Sequence, residues 1–335
     1  MKTSIPPSHE HPFAQFVRIL GKGKKGSRSL SQDEAFQAMS MIMNGEAEDV
    51  QLGAFLMLLR VKEESPEELV GFVNAVKKYC TPNIKGVDFT LDWSSYAGKR
   101  RHLPWYLLAV FALAENGVDI FMHGAAGHTI DRIYTEEVLR TLGFSISTTW
   151  QDVIASKENQ GFAYYPLHNM CPKLSNIINL RNTLGLRSPV HTLARLINPT
   201  DAPYIIQGIF HPAYQPSHQS ASLALDYKNA LVIKGEAGEI ERNPDTLCHA
   251  LSVSNGEFID ETWPKMFEKR HLKENGLDIS QLASVWNGTN DHEYGIAAAK
   301  GTIALALKLT QKASTQDEAL AMASEFWEER NRSLI

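Results

Sequence analysis

The sequence contains only three cysteines, Cys80, Cys171 and Cys248, and they are far apart in the chain. Three widely spaced cysteines do not make a disulfide framework, and their spacing matches no metal-ligand motif. The first residues, which include Pro6 and Pro7, lack the apolar stretch of a secretion signal. These absences together predict a cytoplasmic protein in which the thiols stay reduced.

Long apolar runs are also missing. The longest, residues 103–114, is shorter than the ~20 residues that a membrane-spanning helix needs. This run is therefore predicted to be a buried core helix that includes Trp105, and no membrane partner is expected.

The chain has no overall excess of positive charge, since its net charge is −5. This net charge argues against a nucleic acid that coats the whole surface. The charge is unevenly distributed, however. Residues 1–101 have slightly more Lys and Arg than Asp and Glu, whereas residues 229–335 are clearly acidic. Any surface that binds a polyanion must come from the first two-thirds of the chain.

Helical patterns dominate residues 11–79, and two capping boxes, Ser31 with Glu34 and Ser65 with Glu68, mark helix starts. After residues 81–83 the pattern alternates between strand and helix. We predict a helical domain at 1–81, with a helical excursion at about 170–199, and an α/β domain at 82–335. The predicted strands are 89–93, 118–123, 144–148, 161–165, 204–209 and 230–234, and the later helices are near 104–116, 132–142, 217–226, 279–287 and 292–310.

Residues 91–101 are predicted to be a strand-loop-helix junction, with a helix that starts near Leu103. Such junctions lie at the carboxyl ends of strands, where α/β proteins bind ligands and where a helix N-terminus attracts anions. The stretch predicts an anion site, and the alternative is a solvated run of charge. Tyr96 is the candidate for stacking on a base. The other candidate binding residues of this stretch are Ser94, Ser95, Gly98, Lys99, Arg100 and Arg101.

Two further groups of residues are candidates for binding phosphate or nucleic acid. A glycine-spaced basic loop can follow a phosphate backbone, although basic loops also serve solubility, and the sequence leaves both open. His123 precedes Gly124 at a strand end, where a satisfied polar group is favoured over a general base. The basic loop consists of Lys22, Lys24, Lys25 and Arg28.

Several motifs resemble glycosyltransferase family 3, whose best-known member is anthranilate phosphoribosyltransferase. The resemblance implies the fold of this family: α/β, with a small N-terminal all-α domain and a larger α/β domain with a central mixed sheet. It also implies a homodimer formed by the N-terminal helices, and it places Arg181 near the aromatic acid, where it would meet a carboxylate or a phosphate. The matching residues are Asn44-Gly45-Glu46, 51–56, 65–68, Gly117-Val118, His123-Gly124, 184–187, Asn198-Pro199, Gln207-Gly208 and 232–235.

The catalytic motifs of this family are altered. The family transfers a ribose 5-phosphate from phosphoribosyl diphosphate, which implies a Gly-rich diphosphate loop, a nearby Lys and an Asp-Glu pair that holds Mg²⁺. Here Trp93-Ser94-Ser95-Tyr96-Ala97 replaces the loop G-T-G-G-D, and residues 122–126 replace K-H-G-N-R. Residues 237–241 replace D-G-L-D-E, so that Glu241 is the remnant of the metal pair. We therefore expect no cofactor, with Mg²⁺ and phosphoribosyl diphosphate as ligands only if the chain is a transferase.

These departures from the family's catalytic motifs are similar to those of its YbiB-type, anthranilate-phosphoribosyltransferase-like branch. This resemblance implies a homodimer that binds nucleic acid, DNA or RNA, with low sequence specificity. The alternative is an active phosphoribosyl or pentosyl transferase with an altered acceptor, and a nucleoside phosphorylase is a weaker third option. The residues that carry the resemblance are 21–24, Ser95-Tyr96 with Gly98, 188–194 and 235–239.

Overall fold

The computed structural model describes residues 10–127, 129, 131–272 and 276–335. The strands are β1 (Leu91–Ser95), β2 (Ile120–Gly124), β3 (Phe162–Pro166), β4 (Tyr204–Ile209), β5 (Asn229–Lys234), β6 (Cys248–Ser254) and β7 (Glu257–Trp263). The helices are α1 (Ala14–Gly21), α2 (Gln32–Asn44), α3 (Asp49–Lys62), α4 (Pro66–Cys80), α5 (Tyr106–Glu115), α6 (Thr135–Thr141), α7 (Trp150–Gln160), α8 (Leu167–Met170), α9 (Pro172–Asn179), α10 (Arg181–Leu184), α11 (Val190–Leu193), α12 (Gln215–Ala224), α13 (Ser280–Trp286), α14 (Glu293–Leu309) and α15 (Gln316–Glu329).

The strands form one seven-stranded sheet in the order β3-β2-β1-β4-β5-β6-β7. The first five strands in this order are parallel, and β6 and β7 add an antiparallel hairpin. The chain runs outward from β1 through β2 to β3 and then returns to β4 on the other side of β1. The neighbouring pair β1 and β4 is therefore the point at which the direction of winding reverses, and ligands of open α/β sheets bind outside the carboxyl ends of strands at such a point.

The two faces of the sheet are covered by different helices. In β2, Ile120 and Met122 pack into a core with α5, α14 and α15, whereas Phe121 packs into a second core with the N-terminal helices. This alternation follows from the period of two in a strand. Helix α5 is buried at every position from Tyr106 to Leu113, and Trp105 before it is fully buried, as the apolar run predicted.

The N-terminal helices begin where their capping residues predict. Ser31 and Glu34 form the capping box of α2, and Ser65 and Glu68 form that of α4. The second core joins these helices to residues of α9 and α11, which lie in the predicted helical excursion. The predicted fold class, a helical N-terminal part and a larger α/β part with a mixed sheet, is confirmed.

Some predicted elements are wrong. Residues 144–148 do not form a strand, and helix α7, which follows them, was not predicted. The helix after the 91–101 stretch begins at Tyr106, so Lys99, Arg100 and Arg101 lie in a loop and not in the first turn of a helix. In the described part of the chain, no helix is both long and apolar enough to cross a membrane.

Candidate anion-binding cleft

A cleft of about 640 Å³ lies at the carboxyl edge of the sheet, where β1 and β4 meet. Its walls come from the segments that leave three strands: Arg100 to His102 after β1, Phe210 to Pro212 after β4, and Lys234 to Ala237 at the end of β5. This is the position at which the sheet topology predicts a ligand. Arg132 and Arg270 complete the cationic part of the lining.

The loop after β1 does not leave its backbone N–H groups open to this cleft. Both Ala97 N–H and Gly98 N–H donate to Oε1 of Glu239 at 2.6 Å, and the Ser95 hydroxyl donates to its Oε2 at 2.8 Å. Glu239 is fully buried. Successive backbone N–H groups in a turn make an anion-binding concavity. In this chain the anion at that place is a side chain of the protein itself.

The same loop is held from its carbonyl side. Nη1 of Arg132 donates to the carbonyl oxygens of Ala97 and Gly98, each at 2.9 Å. The backbone of Lys99 pairs with Ile133 in both directions, at 2.8 and 2.9 Å. Gly98 has φ of +69°, in the left-handed region that favours glycine, and the Tyr134 ring lies 2.9 Å from where a Cβ would stand. The loop is thus fixed on three sides.

The prediction that Lys99 binds an external phosphate is wrong for this structure. Its side chain is fully buried, and Nζ lies 2.5 Å from Oε1 of Glu241, which is also fully buried. Lys99 therefore cannot contact an external phosphate in this arrangement. The other oxygen of Glu241 accepts the Tyr106 N–H at 2.9 Å, which satisfies a free donor at the start of α5. Burial raises the pKa of Glu241 to about 7, and Lys99 acts in the opposite direction.

These contacts also decide whether Mg²⁺ fits. A Mg²⁺ site needs oxygen ligands with free lone pairs and room for several waters. Glu239 and Glu241 are fully buried, and their four oxygens are taken by backbone N–H groups, Ser95 and Lys99. Within the described residues, no group of three or more His, Cys, Asp or Glu could hold a metal ion. The carboxylates as arranged do not fit Mg²⁺, so the expectation that Glu241 is a remnant ligand finds no support in this geometry.

Arg100 and Arg101 are exposed, as are Lys234 and Arg270 across the cleft. Lys234 and Arg270 belong to the acidic last third of the chain, so the expectation that a polyanion surface comes from the first two-thirds alone is wrong for this cleft. None of these four cations forms an ion pair with a residue in the described ranges. The lining also contains two acids, Glu236 and Asp245, against five cations when Arg132 is included. Glu236 accepts from Asn243 at 2.9 Å, and Asp245 accepts both the backbone N–H and the Nδ1 of His271. The cleft consequently has unneutralised positive charge facing solvent.

Three predicted binding residues are structural. Tyr96 is almost fully buried, and its hydroxyl lies 2.7 Å from Nδ1 of His123, so Tyr96 cannot stack on an external base. His123 is fully buried, with Nε2 3.3 Å from Asp92. The prediction that His123 is a satisfied polar group is confirmed. Gly124 is required by close packing, because a Cβ there would stand 2.0 Å from the Ser95 carbonyl oxygen.

The serines of the loop are also inaccessible. Ser94 is buried in β1, and Ser95 bonds to Thr135 at 2.6 Å besides Glu239. Neither side chain faces solvent, so an external phosphate does not reach them. They were predicted to supply hydroxyls to a ligand, and in the structure Ser95 supplies its hydroxyl to Glu239.

Two further arginines, Arg181 and Arg187, interact electrostatically with Arg132 of the cleft. Arg181 begins α10 and is half-buried. Arg132, Arg181 and Arg187 repel one another electrostatically, and burial together with this repulsion lowers the pKa of Arg187 to about 10. Arg187 donates to the Thr129 hydroxyl at 3.2 Å. This side of the protein would be stabilised by a bound anion.

The basic loop after α1 is exposed throughout residues 22–28. Arg28 is engaged in a bidentate pair with Glu34, at 2.6 and 2.7 Å, and is therefore partly neutralised. Lys22, Lys24 and Lys25 have no ion-pair partner among the residues that the structure describes. The loop turns on itself through hydrogen bonds from Gly26 and Ser27 to Gly23.

Several residues in or next to the cleft were not predicted from the sequence as site residues. Glu239 stands in the altered metal motif, but nothing in its spacing indicates that it binds a loop some 140 positions earlier. Phe210 and Lys234 could have been predicted, because each lies at or just after the end of a predicted strand, where α/β proteins bind ligands. Arg132 and Arg270 lie in irregular segments with no such signal.

Comparison with known proteins supports one family. Residues 15–80 match the model of the glycosyl transferase family, helical bundle domain. The Escherichia coli protein YbiB is 27% identical over 251 residues, covering 73% of this chain and 77% of that protein. Anthranilate phosphoribosyltransferase of Deinococcus radiodurans is 28% identical over 265 residues, covering 78% and 75%.

Two solved structures show the same fold. Anthranilate phosphoribosyltransferase of Thermus thermophilus has a TM-score of 0.78 at 20% identity, covering 95% of this chain and 94% of that one. The Saccharomyces cerevisiae enzyme in complex with PRPP and Mg has a TM-score of 0.77 at 16% identity, covering 96% and 94%. The helical bundle domain and the relatives support an anthranilate phosphoribosyltransferase-like protein of glycosyltransferase family 3, and the solved structures show the same fold.

Proposed function

We propose that this protein binds nucleic acid, as a homodimer and with low sequence specificity. The observation that carries the proposal is a contrast between two groups of charges. The internal anion site of the 95–98 loop is filled by Glu239, whereas Arg100, Arg101, Lys234 and Arg270 face solvent without an acidic partner in the described chain. Exposed, unneutralised cations of this kind favour a large external polyanion.

A face of helix α3 supports the homodimer. Val50 and Val61 are 80% and 84% exposed, and Ala54 between them is also exposed. Their spacing of four and seven residues puts them on one side of the helix. Apolar residues that line up at such exposure are typical of a protein contact surface. We therefore propose this face as the contact between two copies of the chain.

The basic loop lies close to this face. A Cβ on Gly21 would stand 3.1 Å from Leu58 of α3, and Lys62 at the end of α3 donates to the Ser29 hydroxyl at 2.9 Å. A dimer formed through α3 would thus carry one copy of Lys22, Lys24 and Lys25 on each side of its contact. Two basic loops and two clefts would then be available to one nucleic-acid molecule.

The salt dependence of binding tests the proposal. We would measure the fluorescence anisotropy of a labelled DNA at several salt concentrations. If 6–10 phosphates are neutralised, affinity should fall by roughly 10³–10⁵ between 50 and 200 mM salt. The double variant Arg100→Ala/Arg101→Ala should reduce the slope of log K against log salt by about 2 for each engaged cleft.

A matched control removes the same charge elsewhere. Lys312 and Arg332 are both exposed and lie outside the cleft lining, so Lys312→Ala/Arg332→Ala lowers the net charge by the same amount. This control should leave the slope unchanged. Affinity that does not vary with salt, or equal effects of the two double variants, would refute the proposal.

The alternative is an active phosphoribosyl or pentosyl transferase with an altered acceptor. It is supported by the relatives named anthranilate phosphoribosyltransferase and by the shared fold with an enzyme solved with PRPP and Mg. The contacts of Glu239 and Glu241 oppose it, because a diphosphate and Mg²⁺ would have to displace them. Calorimetry with phosphoribosyl diphosphate and Mg²⁺ discriminates the two, since measurable heat at millimolar ligand would favour the transferase.

A further inference from the structure

Phe210 is an exposed aromatic residue on the wall of the cleft. Its side chain is 51% exposed, and it follows β4 at the point where the sheet reverses its winding. A ligand that covers this ring would remove apolar surface from water and would gain free energy from doing so.

The ring is supported from below. Gly238 has φ of +90°, and a Cβ there would stand 3.2 Å from Cβ of Phe210 and 3.3 Å from Cβ of Ala97. The glycine lets the turn after β5 pass directly beneath Phe210. The ring of His211 packs edge-on against Phe210, with 4.7 Å between centroids. These contacts hold the root of the side chain, while 51% of the residue's surface stays exposed.

Cations line the same cleft. Arg100 and Arg101 leave β1 beside Phe210, and Lys234 ends the neighbouring strand β5 on the other side. An aromatic face with cations on both sides is the arrangement by which proteins hold single strands, since the cations follow the phosphates and the ring stacks on a base. A base inside a duplex has both faces covered by its neighbours, so only an unpaired base can present a face to Phe210.

We infer that the cleft takes an unpaired nucleotide of a single-stranded nucleic acid, with its base on Phe210 and the adjoining phosphates on Arg100, Arg101 and Lys234. The inference rests on the proposed function and adds the form of nucleic acid that the site selects. The cations and Phe210 have different roles in this inference. The cations supply affinity for any polyanion, and Phe210 supplies the preference for an unpaired base.

The test compares four probes: an oligothymidylate, a duplex of mixed sequence and the same length, a base-free deoxyribose-phosphate strand, and thymidine monophosphate as competitor. The variant is Phe210→Leu, which keeps an apolar side chain but removes the ring. Its control is Phe258→Leu, because Phe258 is 52% exposed on strand β7, outside the cleft lining. Phe210→Trp retains a stacking surface and should keep affinity.

We expect Phe210→Leu to weaken oligothymidylate binding at least about fivefold, the lower end of what stacking on one base contributes. Binding of the base-free strand should be unchanged, and Phe258→Leu should bind all probes as the unaltered protein does. Equal effects of the two leucine variants on oligothymidylate, or an equal loss for the base-free strand, would overturn the inference. So would a monophosphate that competes as strongly as the oligonucleotide, because the cleft would then select free nucleotides.

Nucleic-acid binding and the preference for an unpaired base are refuted by different results. If Arg100→Ala/Arg101→Ala weakens every strand while Phe210→Leu weakens none, nucleic-acid binding stands and the unpaired base is refuted. If neither variant changes affinity and binding ignores salt, both are refuted. Circular dichroism melts of each variant confirm that a loss of binding is not a loss of folding.

Discussion

Replacing Glu239 by alanine should destabilise the protein strongly, because two backbone donors lose their acceptor at once. Ala97 N–H and Gly98 N–H both donate to Oε1 of Glu239, and both residues are buried. A buried donor left without a partner costs about 1–3 kcal/mol. The hydroxyl of Ser95 keeps Thr135 as a partner and adds little. The expected loss in the free energy of unfolding is roughly 2–6 kcal/mol.

Two further variants separate the hydrogen bonds from the charge. Glu239→Gln keeps a carbonyl oxygen for both N–H groups and loses only the charge, so its expected cost is roughly 1–3 kcal/mol. Glu236→Gln is the control, because Glu236 belongs to the same turn but accepts a single hydrogen bond, from Asn243. It should change stability by less than about 1 kcal/mol.

Urea unfolding followed by circular dichroism measures all three variants. Inorganic phosphate adds a second readout, since the vacated N–H groups of the Glu239→Ala variant form an anion-binding turn. The melting temperature of that variant should rise with phosphate by more than that of the unaltered protein. A Glu239→Ala variant as stable as Glu236→Gln, with no response to phosphate, would refute the idea that Glu239 replaces a bound anion.

Three other predictions concern buried groups and the dimer. Burial raises the pKa of Glu64 to about 7, so its protonated carboxyl favours folding at low pH, and this stability is lost as the pH rises from 4.5 to 7. Urea unfolding should therefore show Glu64→Gln more stable than the unaltered protein by up to about 3 kcal/mol at pH 8, and by less than about 1 kcal/mol at pH 5. Lys99→Met should cost about 3–5 kcal/mol at pH 8 because Glu241 stays buried without its cation, and Glu241→Gln in the same chain should restore much of the loss. If two copies meet through α3 as proposed, Val61→Glu should lower the mass in analytical ultracentrifugation to that of a monomer without lowering the melting temperature, and a dimeric Val61→Glu variant would exclude α3 from the contact.

Much of the fold follows from local signals in the sequence. The capping boxes at Ser31 and Ser65 set the starts of α2 and α4, because each involves residues only three positions apart. The hairpin of β6 and β7 was missed although its signal is present. Asn255 and Gly256 both have positive φ, as the two-residue turn between strands requires. Helix α7 was missed in the same way, since Thr149 and Asp152 form its capping box.

The candidate site was less accessible to sequence reasoning. Lys99, Arg100 and Arg101 are adjacent in the chain, yet one is fully buried and two are exposed. Lys99 alone is buried because its side chain pairs with Glu241, which lies far along the sequence. Pairings of this kind depend on the register of β1 and the turn after β5, and no local pattern encodes either.

The fixed loop has a consequence for the entropy of binding. Ordering a flexible segment when a ligand binds costs free energy that is subtracted from the affinity. Here Glu239 and Arg132 already hold the backbone of Ala97 and Gly98 from opposite sides. The exposed Arg100 therefore projects from a segment ordered before any ligand arrives, and only its side chain loses freedom on contact. The contacts that fill the internal anion site would therefore also lower the entropic cost of the proposed binding of a large external anion.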